Sequence, residues 1–352
     1  FRASRIIGKR FKLVHVFNRS ELIEVATFRS GNNGFNDGNL VTDQSGKIIR
    51  DNVWGTLEED TYRRDFTINA LYYCPITGKI EDHNKGLKHI HNKEIVSIGD
   101  PDLRFEEDPV RSLRAIRFCT KLNFKINNNI KEAIYKKGHL LSSVSNARLF
   151  DEFCKIFLNG MAEKNFNKLV SFGLNKYLVS TNLNGCEFSN QLIIEALRNT
   201  DNRIKNNQSV TPGFLIAALL WPQLIKKSLK GNEINLKKFF RSMDSILRNQ
   251  QKITAIPRKF HTYIKDIWVL QLKLHSRIGR QPYKTLKHPR FRAAYDFLLV
   301  REKATAKKKD LGFWWTEFQK NNEDLKKKLI NDLKKNNLEE SSKIFGFSKE
   351  LR

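Results

Sequence analysis

Cysteine is scarce in this chain, and what there is lies scattered. Cys74, Cys119, Cys154 and Cys186 are far apart in the 352 residues and form no CxxC pair. That spacing argues against a zinc ribbon or a disulfide framework and fits a reducing cytoplasm. Long apolar runs are missing too. The longest, 214-FLIAALLW-221, is far too short to span a bilayer and reads as a buried helix. No signal-peptide pattern is present. The chain opens at Phe1, not at methionine, in an apolar and basic context, so it is expected to start in mid-domain. No internal repeat of fixed period is found. Acidic residues are in short supply: 37 Asp and Glu face 64 Lys and Arg, a net charge of +27. Such an excess points to a polyanionic partner, above all nucleic acid; the plainer alternative is a lysine-rich composition with no basic groove. A chain of 352 residues is long for one core, and two or three domains are expected.

What is there has a clear order. The segments 11-FKLVHVF-17 and 22-LIEVATF-28 are rich in β-branched and aromatic residues, and 18-NRSE-21 between them suits a hairpin turn. Alternation places Leu22, Glu24, Ala26 and Phe28 on one strand face, so Glu24 is a carboxylate among apolar neighbours or an edge charge reaching water. Residues 30 to 56 are rich in glycine and asparagine and read as a long, mobile loop. Then comes 62-YRRDFTINALYY-73. Asp65 and Asn69 are four apart, which predicts one face of a helix. Strands are predicted at 71-LYYC-74 and 78-GKIED-82 around a turn marked by Pro75 and Gly78.

From about residue 90 onward an all-α protein is expected. In 108-DPVRSLRAIRFCTKL-122, Asp108 is a natural N-cap and Pro109 a natural first helical residue, with Arg111, Arg114 and Arg117 forming a basic stripe. Further amphipathic helices are predicted at 129–137, 147–160, 191–200, 213–221 and 262–275, and a lysine-dominated tail over 301–352, helical in part and frayed at its end. Taken singly, these signals are bland. Arg63-Arg64 beside Asp65 reads as a surface ion pair, and Asp108 with Arg111 as a cap and a solvated charge.

Their conjunction is not bland. LIEVATFR, RRDFTINAL, a glycine-bearing strand ending in Asp82, and EDPVRSLRAIRF follow one another within about a hundred residues. In this the chain resembles the class II nucleotidyltransferases, the family of bacterial poly(A) polymerases and tRNA CCA-adding enzymes. The segments 267-IWVLQLKL-274, 287-KHPRFRAAYDFLLVR-301 and 313-FWWTEFQ-319 resemble the polymerase branch. The resemblance implies an α+β protein: a nucleotidyltransferase palm of mixed sheet and helices over 1–90, then a helical neck for base recognition over 91–165, a helical RNA-binding body over 166–300 and a basic helical tail over 301–352. It implies transfer of AMP from ATP to RNA 3′ ends with two Mg²⁺ ions. It places the protein in the cytoplasm with RNA and ATP as partners, and leaves association with RNA-degradation machinery open.

Residue by residue, the resemblance makes Glu24 the third metal-binding carboxylate of the palm and Asp65 a second catalytic residue. Arg63 and Arg64 match groups near the ribose and triphosphate, with Arg114 among the nucleotide-binding residues. Asn69 matches a group that fixes the sugar or supports the turn. Asp108 and Arg111 match the pair that reads the edge of the incoming base, facing one pocket from one helix. One departure is large. The family's Gly-Gly or Gly-Ser turn followed by a DxD pair does not occur in these 352 residues; the early aspartates Asp37 and Asp43 lie in the loop. A fragment, a late-assigned start and a decayed gene all fit, and each predicts a chain that is inactive as written. The pair Asn84-Lys85 before Gly86, where the family tends to have two glycines, predicts a stiffer hinge. Two alternatives stay open: a CCA-adding enzyme, which uses CTP and stops after a defined addition, and an RNA-binding remnant without chemistry.

Overall fold

The structure is a computed structural model that describes residues 3–7, 13–30, 41–42, 48–50, 54–180, 187–231, 233–305 and 310–335. The chain divides into two compact units, Phe1–Gly138 and His139–Arg352.

The first unit opens with an antiparallel meander of β1 (Ser4–Ile7), β2 (Leu13–Asn18) and β3 (Glu21–Val25). The predicted hairpin is present, with its two-residue turn at Arg19–Ser20 and Arg19 in the left-handed region at φ 54°. Val41–Thr42 (β4) pairs with Ile48–Arg50 (β5) inside the stretch predicted as a loop; the rest of that stretch, Asp37 and Asp43 included, falls mostly outside the described residues. Next comes α1 (Leu57–Tyr62), which begins at a capping box: Thr56 Oγ1 accepts from the Glu59 amide while the Glu59 carboxylate accepts from the Thr56 amide.

The predicted helical turn across Asp65 and Asn69 is corrected. Phe66 forms an antiparallel bridge with Ser97, and Thr67–Asn69 is a single 3₁₀ turn. Burial of Phe66, with no exposed surface, favours the bridge over continuation of the helix. The strands β6 (Tyr72–Tyr73) and β7 (Ile80–Glu81) pair as predicted, with Gly78 at φ +68° in the turn. Asp82 then accepts from the amides of Gly86 and Leu87 and so holds the start of α2 (Gly86–His91). A side chain at Gly86 would strike the Thr67 carbonyl at 2.5 Å, which accounts for a glycine there.

The expectation of pure helix beyond residue 90 is also corrected. β8 (Glu94–Ile95) and β9 (Lys125–Ile126) pair in parallel, with α3 (Pro101–Glu107) and α4 (Val110–Leu122) between them and α5 (Asn128–Lys137) after. Ile95, Phe105, Leu113, Ile116, Ile126 and Ile130 bury together with Phe66 as the core of the unit.

Among its described residues the second unit is helical apart from a two-stranded pair. Its elements are α6 (Asn146–Phe157), α7 (Ala162–Ser171), α8 (Glu187–Lys205), α9 (Pro212–Ser228), β10 (Leu229–Lys230), β11 (Glu233–Ile234), α10 (Leu236–Gln251), α11 (Arg258–Leu274), α12 (Gln281–Leu286), α13 (Phe291–Ala304), α14 (Asp310–Lys320) and α15 (Glu323–Lys335). The apolar run of α9 is buried from Leu215 to Trp221, as its composition predicts, and packs on α8, α10 and α11. Arg301, nearly fully buried, lies 4.8 Å from the Trp221 ring and donates to Gln271 Oε1 at 2.9 Å. The lysine-rich tail is more than a tail. Trp314, Trp315, Phe318 and Ile330 join Leu270, Leu274, Phe291 and Tyr295 in one core cluster. Residues 306–309 and 336–352, which hold much of the lysine and the predicted frayed end, lie outside the described residues.

Candidate functional site

The RRDFTINAL turn is organised by two carboxylates, and sequence reasoning found only one of them. Asp60, on the last turn of α1, is 2% exposed. Its Oδ1 accepts from the Arg29 amide at 3.2 Å and from Arg63 Nε at 2.9 Å. Its Oδ2 accepts from Arg64 Nη2 at 2.8 Å and Nε at 3.2 Å, and from the Tyr72 hydroxyl. Burial pushes the Asp60 carboxyl up, but the hydrogen bonds from Tyr72 and Arg64 and the charges of Arg64 and Arg63 outweigh it and hold the group below the ordinary carboxylate range. The same burial and the bond to Asp60 push the Tyr72 hydroxyl up. Sequence spacing did carry a signal here: Asp60 precedes Arg63 by three and Arg64 by four, the helical neighbour distances.

Gly55 makes this cluster possible. A Cβ there would lie 2.4 Å from the Ser30 amide nitrogen, so only glycine lets the exit of LIEVATFR pass against the start of α1. Phe28 then meets the Tyr72 ring edge-on at 5.6 Å.

Asp65 is the second carboxylate. It does not pair with Arg63 or Arg64, as adjacency had suggested. Its Oδ2 accepts from Arg114 Nε on α4 at 2.5 Å, and its Oδ1 from the Phe66 amide and Asn69 Nδ2, both at 2.9 Å. Both oxygens are engaged, and the residue is 7% exposed. Asn69 therefore supports the turn through Asp65. Arg114 is fixed between Asp65 and the Phe118 ring, 5.5 Å from its centroid.

Arg104 on α3, another residue that sequence reasoning missed, clamps this turn from outside. Its Nη2 donates to the carbonyls of Arg63 at 2.9 Å and Arg64 at 2.8 Å, and its Nη1 to Glu107 at 2.6 Å. Arg111 shares that same Glu107 at 3.3 Å. Burial and the neighbouring Arg104 guanidinium push the Arg111 pKa down, against the opposing pull of Asp108, Glu107 and Asp65. Two guanidiniums of like exposure, 15% and 14%, thus share one carboxylate.

Asp108 and Arg111 do not stand on one helix. Asp108 lies in extended backbone between α3 and α4, with its Oδ1 accepting from the Val110 amide at 3.2 Å, and the cap position falls to Pro109. The proline makes the last break in the helix path and moves the boundary by one residue.

Glu24 stands apart. All five residues of β3 are exposed, so of the two readings of Glu24 the strand shows the edge charge reaching water. The Glu24 carboxylate is 64% exposed and faces His15, its cross-strand neighbour, at 3.3 Å. As for a metal centre, no group of three or more His, Cys, Asp or Glu able to hold an ion occurs among the described residues. Asp65 has no free oxygen and Glu24 no second carboxylate, so these residues do not fit the implied pair of Mg²⁺ ions by themselves. Among the described residues no helix is long and apolar enough to cross a membrane.

Three family descriptions match the chain. Residues 1–96 match the poly A polymerase head domain, residues 123–181 the "probable RNA and SrmB-binding site of polymerase A", and residues 232–344 the polymerase A arginine-rich C-terminus. Poly(A) polymerase I of Salmonella typhi is 38% identical over 346 residues, covering 95% of this chain and 74% of that one. The CCA-adding enzyme of Bacillus pumilus is 28% identical over 265 residues, covering 72% of this chain and 65% of its own. Among solved structures, the Bacillus stearothermophilus CCA-adding enzyme in complex with CTP superposes with a TM-score of 0.55 at 22% identity, over 94% of this chain and 69% of that one. That likeness establishes the shared fold.

Proposed function

Because this chain belongs to the bacterial poly(A) polymerase family, whose members are nucleotidyltransferases, we propose that its arginine cluster is the seat of the ATP triphosphate and base in extension of RNA 3′ ends by AMP. The observation that carries this reading is Arg111: a guanidinium only 14% exposed, crowded by Arg104 and sharing one glutamate with it. A guanidinium held this way keeps a fixed donor fork for the acceptor edge of a base, and the triphosphate falls to Arg63 and Arg64, whose planar forks suit paired bonds to phosphate oxygens. Arg63 and Arg64, each with one edge held by Asp60, are oriented before any ligand arrives, which lowers the entropy lost on binding.

In this reading Asp65 is a positioning residue. It holds Arg114 through one oxygen and Asn69 through the other. Asp108 in the α3–α4 junction and Arg111 in the first turn of α4 read the base edge. Residues 1–90 act as the head, 91–165 as the base-recognition neck, and 166–300 with the basic segment beyond as the RNA track. The excess of 27 positive charges supports RNA as the polyanion. Among the described residues the divalent ions that the family chemistry calls for find only Glu24, and no step is assigned to them.

The test uses this chain joined to a segment bearing the Gly turn and DxD pair. Arg111→Ala is expected to lower discrimination of ATP over CTP by about 1–3 kcal/mol, the scale of a lost bidentate base contact. Asp65→Ala is expected to depress turnover with every nucleotide and leave the ratio nearly unchanged. An unchanged ratio in Arg111→Ala would retire the base-reading role. Defined addition of CTP in place of repeated addition of ATP would favour the CCA-adding alternative.

A further inference from the structure

A cavity of about 220 Å³ opens in the second unit, lined by α8, α9, α11 and α13 and unconnected with any residue assigned above. Its wall carries three arginines, Arg203, Arg290 and Arg292, and two aromatic rings, Phe214 and Tyr263. Asp296 pairs with two of the arginines, with Arg203 at 3.2 Å and Arg292 at 3.0 Å. Arg290 differs. Its guanidinium lies 5.1 Å from the centre of the Tyr263 ring, and no described carboxylate pairs with it. Charge at the mouth is therefore in excess by two. The Tyr263 ring is fixed from behind: a Cβ on Gly213 would come within 2.8 Å of its Cδ1, so the glycine lets α9 press directly on the ring.

A guanidinium plane backed by a rigid aromatic ring is a stacking platform for a nucleobase, and flanking arginines suit the phosphate that follows it. Size narrows the ligand. Sites that engulf a free small molecule usually measure about 300–1,000 Å³. A cavity below that range suits one unit of a strand that lies mostly outside it. We infer that this cavity takes a single nucleotide of a single-stranded RNA, its base on the Arg290–Tyr263 stack and its phosphate on Arg292 and Arg203, and so anchors the substrate strand away from the nucleotide seat. This rests on the reading of RNA as the substrate.

The experiment measures anisotropy of a fluorescent, unstructured 20-nucleotide RNA with the full chain across a salt series, alongside cross-linking with one internal 4-thiouridine. Wild type is expected to bind with a steep salt slope and to cross-link to the peptide carrying Tyr263. Arg290→Gln, at an exposed position, is expected to weaken binding about threefold to tenfold and to reduce the salt slope by about one. Tyr263→Leu is expected to weaken it about 5- to 20-fold, with the melting temperature followed to confirm folding. Lys88→Gln, an exposed lysine on α2 of the first unit, serves as the control and is expected to change affinity less than twofold. If wild type binds but Arg290→Gln stays within the range of that control and no cross-link maps to the cavity, the anchor is overturned and the RNA reading stands. If wild type shows no salt-dependent RNA binding, both fall. Saturable binding of AMP that Arg290→Gln abolishes, with RNA affinity unmoved, would make the cavity a mononucleotide site and overturn the strand reading.

Discussion

Two carboxylate-bearing regions of the first unit have opposite physical characters. The meander that carries Glu24 is exposed on both faces of β3, with Leu22, Ile23 and Val25 each about half exposed. The turn that carries Asp60 and Asp65 is closed, and every carboxylate oxygen in it has a donor. The contrast teaches that a carboxylate's sequence motif does not say whether it is available. Glu24 is exposed and has one cross-strand partner, His15, in a pair that water screens. Asp65 sits in the better-matched motif and is fully engaged.

The widest test of the contrast is catalytic. The 352 residues alone are expected to grow no tail on a short RNA given ATP and Mg²⁺, since among the described residues Glu24 stands alone of the implied carboxylate trio. Joining a Gly turn and DxD pair ahead of them is expected to raise incorporation by about three or more orders of magnitude. Robust tail growth by the 352 residues would show that other carboxylates serve.

The next effects are on stability. Asp60→Ala strands two guanidiniums, the Tyr72 hydroxyl and the Arg29 amide; because Arg64 keeps 44% of its side chain exposed, the expected loss is about 2–4 kcal/mol and not the full cost of a sealed pair. Urea denaturation reads it, and a loss below about 0.5 kcal/mol would mean that water replaces the network. Asp65→Asn keeps the shape but removes the charge facing Arg114, with an expected loss of about 1.5–3 kcal/mol by the same measurement.

A pH series sharpens the point. The folded Asp60 carboxyl lies below its unfolded value of 3.8, so the unfolded chain takes up its proton first as pH falls. Stability from this group is fully present above the unfolded value and is lost as pH drops through the folded one. Asp60→Asn should flatten that acid arm, and an unaltered acid arm would remove Asp60 from the account. Glu24→Gln should be the smallest change, within about 0.5 kcal/mol at neutral pH, as for other exposed side chains.

The sequence by itself determined the hairpin of β2 and β3, the β6–β7 pair and the buried helix at 214–221, because each follows from local propensity, turn chemistry or a continuous apolar run. The family followed from the order of LIEVATFR, RRDFTINAL and EDPVRSLRAIRF, since that combination is rare even where each part is common. Only the tertiary structure decided which charges meet. Asp65 reaches forward 49 residues to Arg114 and not to the arginine beside it, and Arg104 closes on carbonyls about forty residues behind it. Adjacent side chains diverge, while packing of α3 and α4 against the Phe66 bridge brings distant ones into one low-dielectric cluster, so ion pairing there is set by burial geometry that no local pattern encodes.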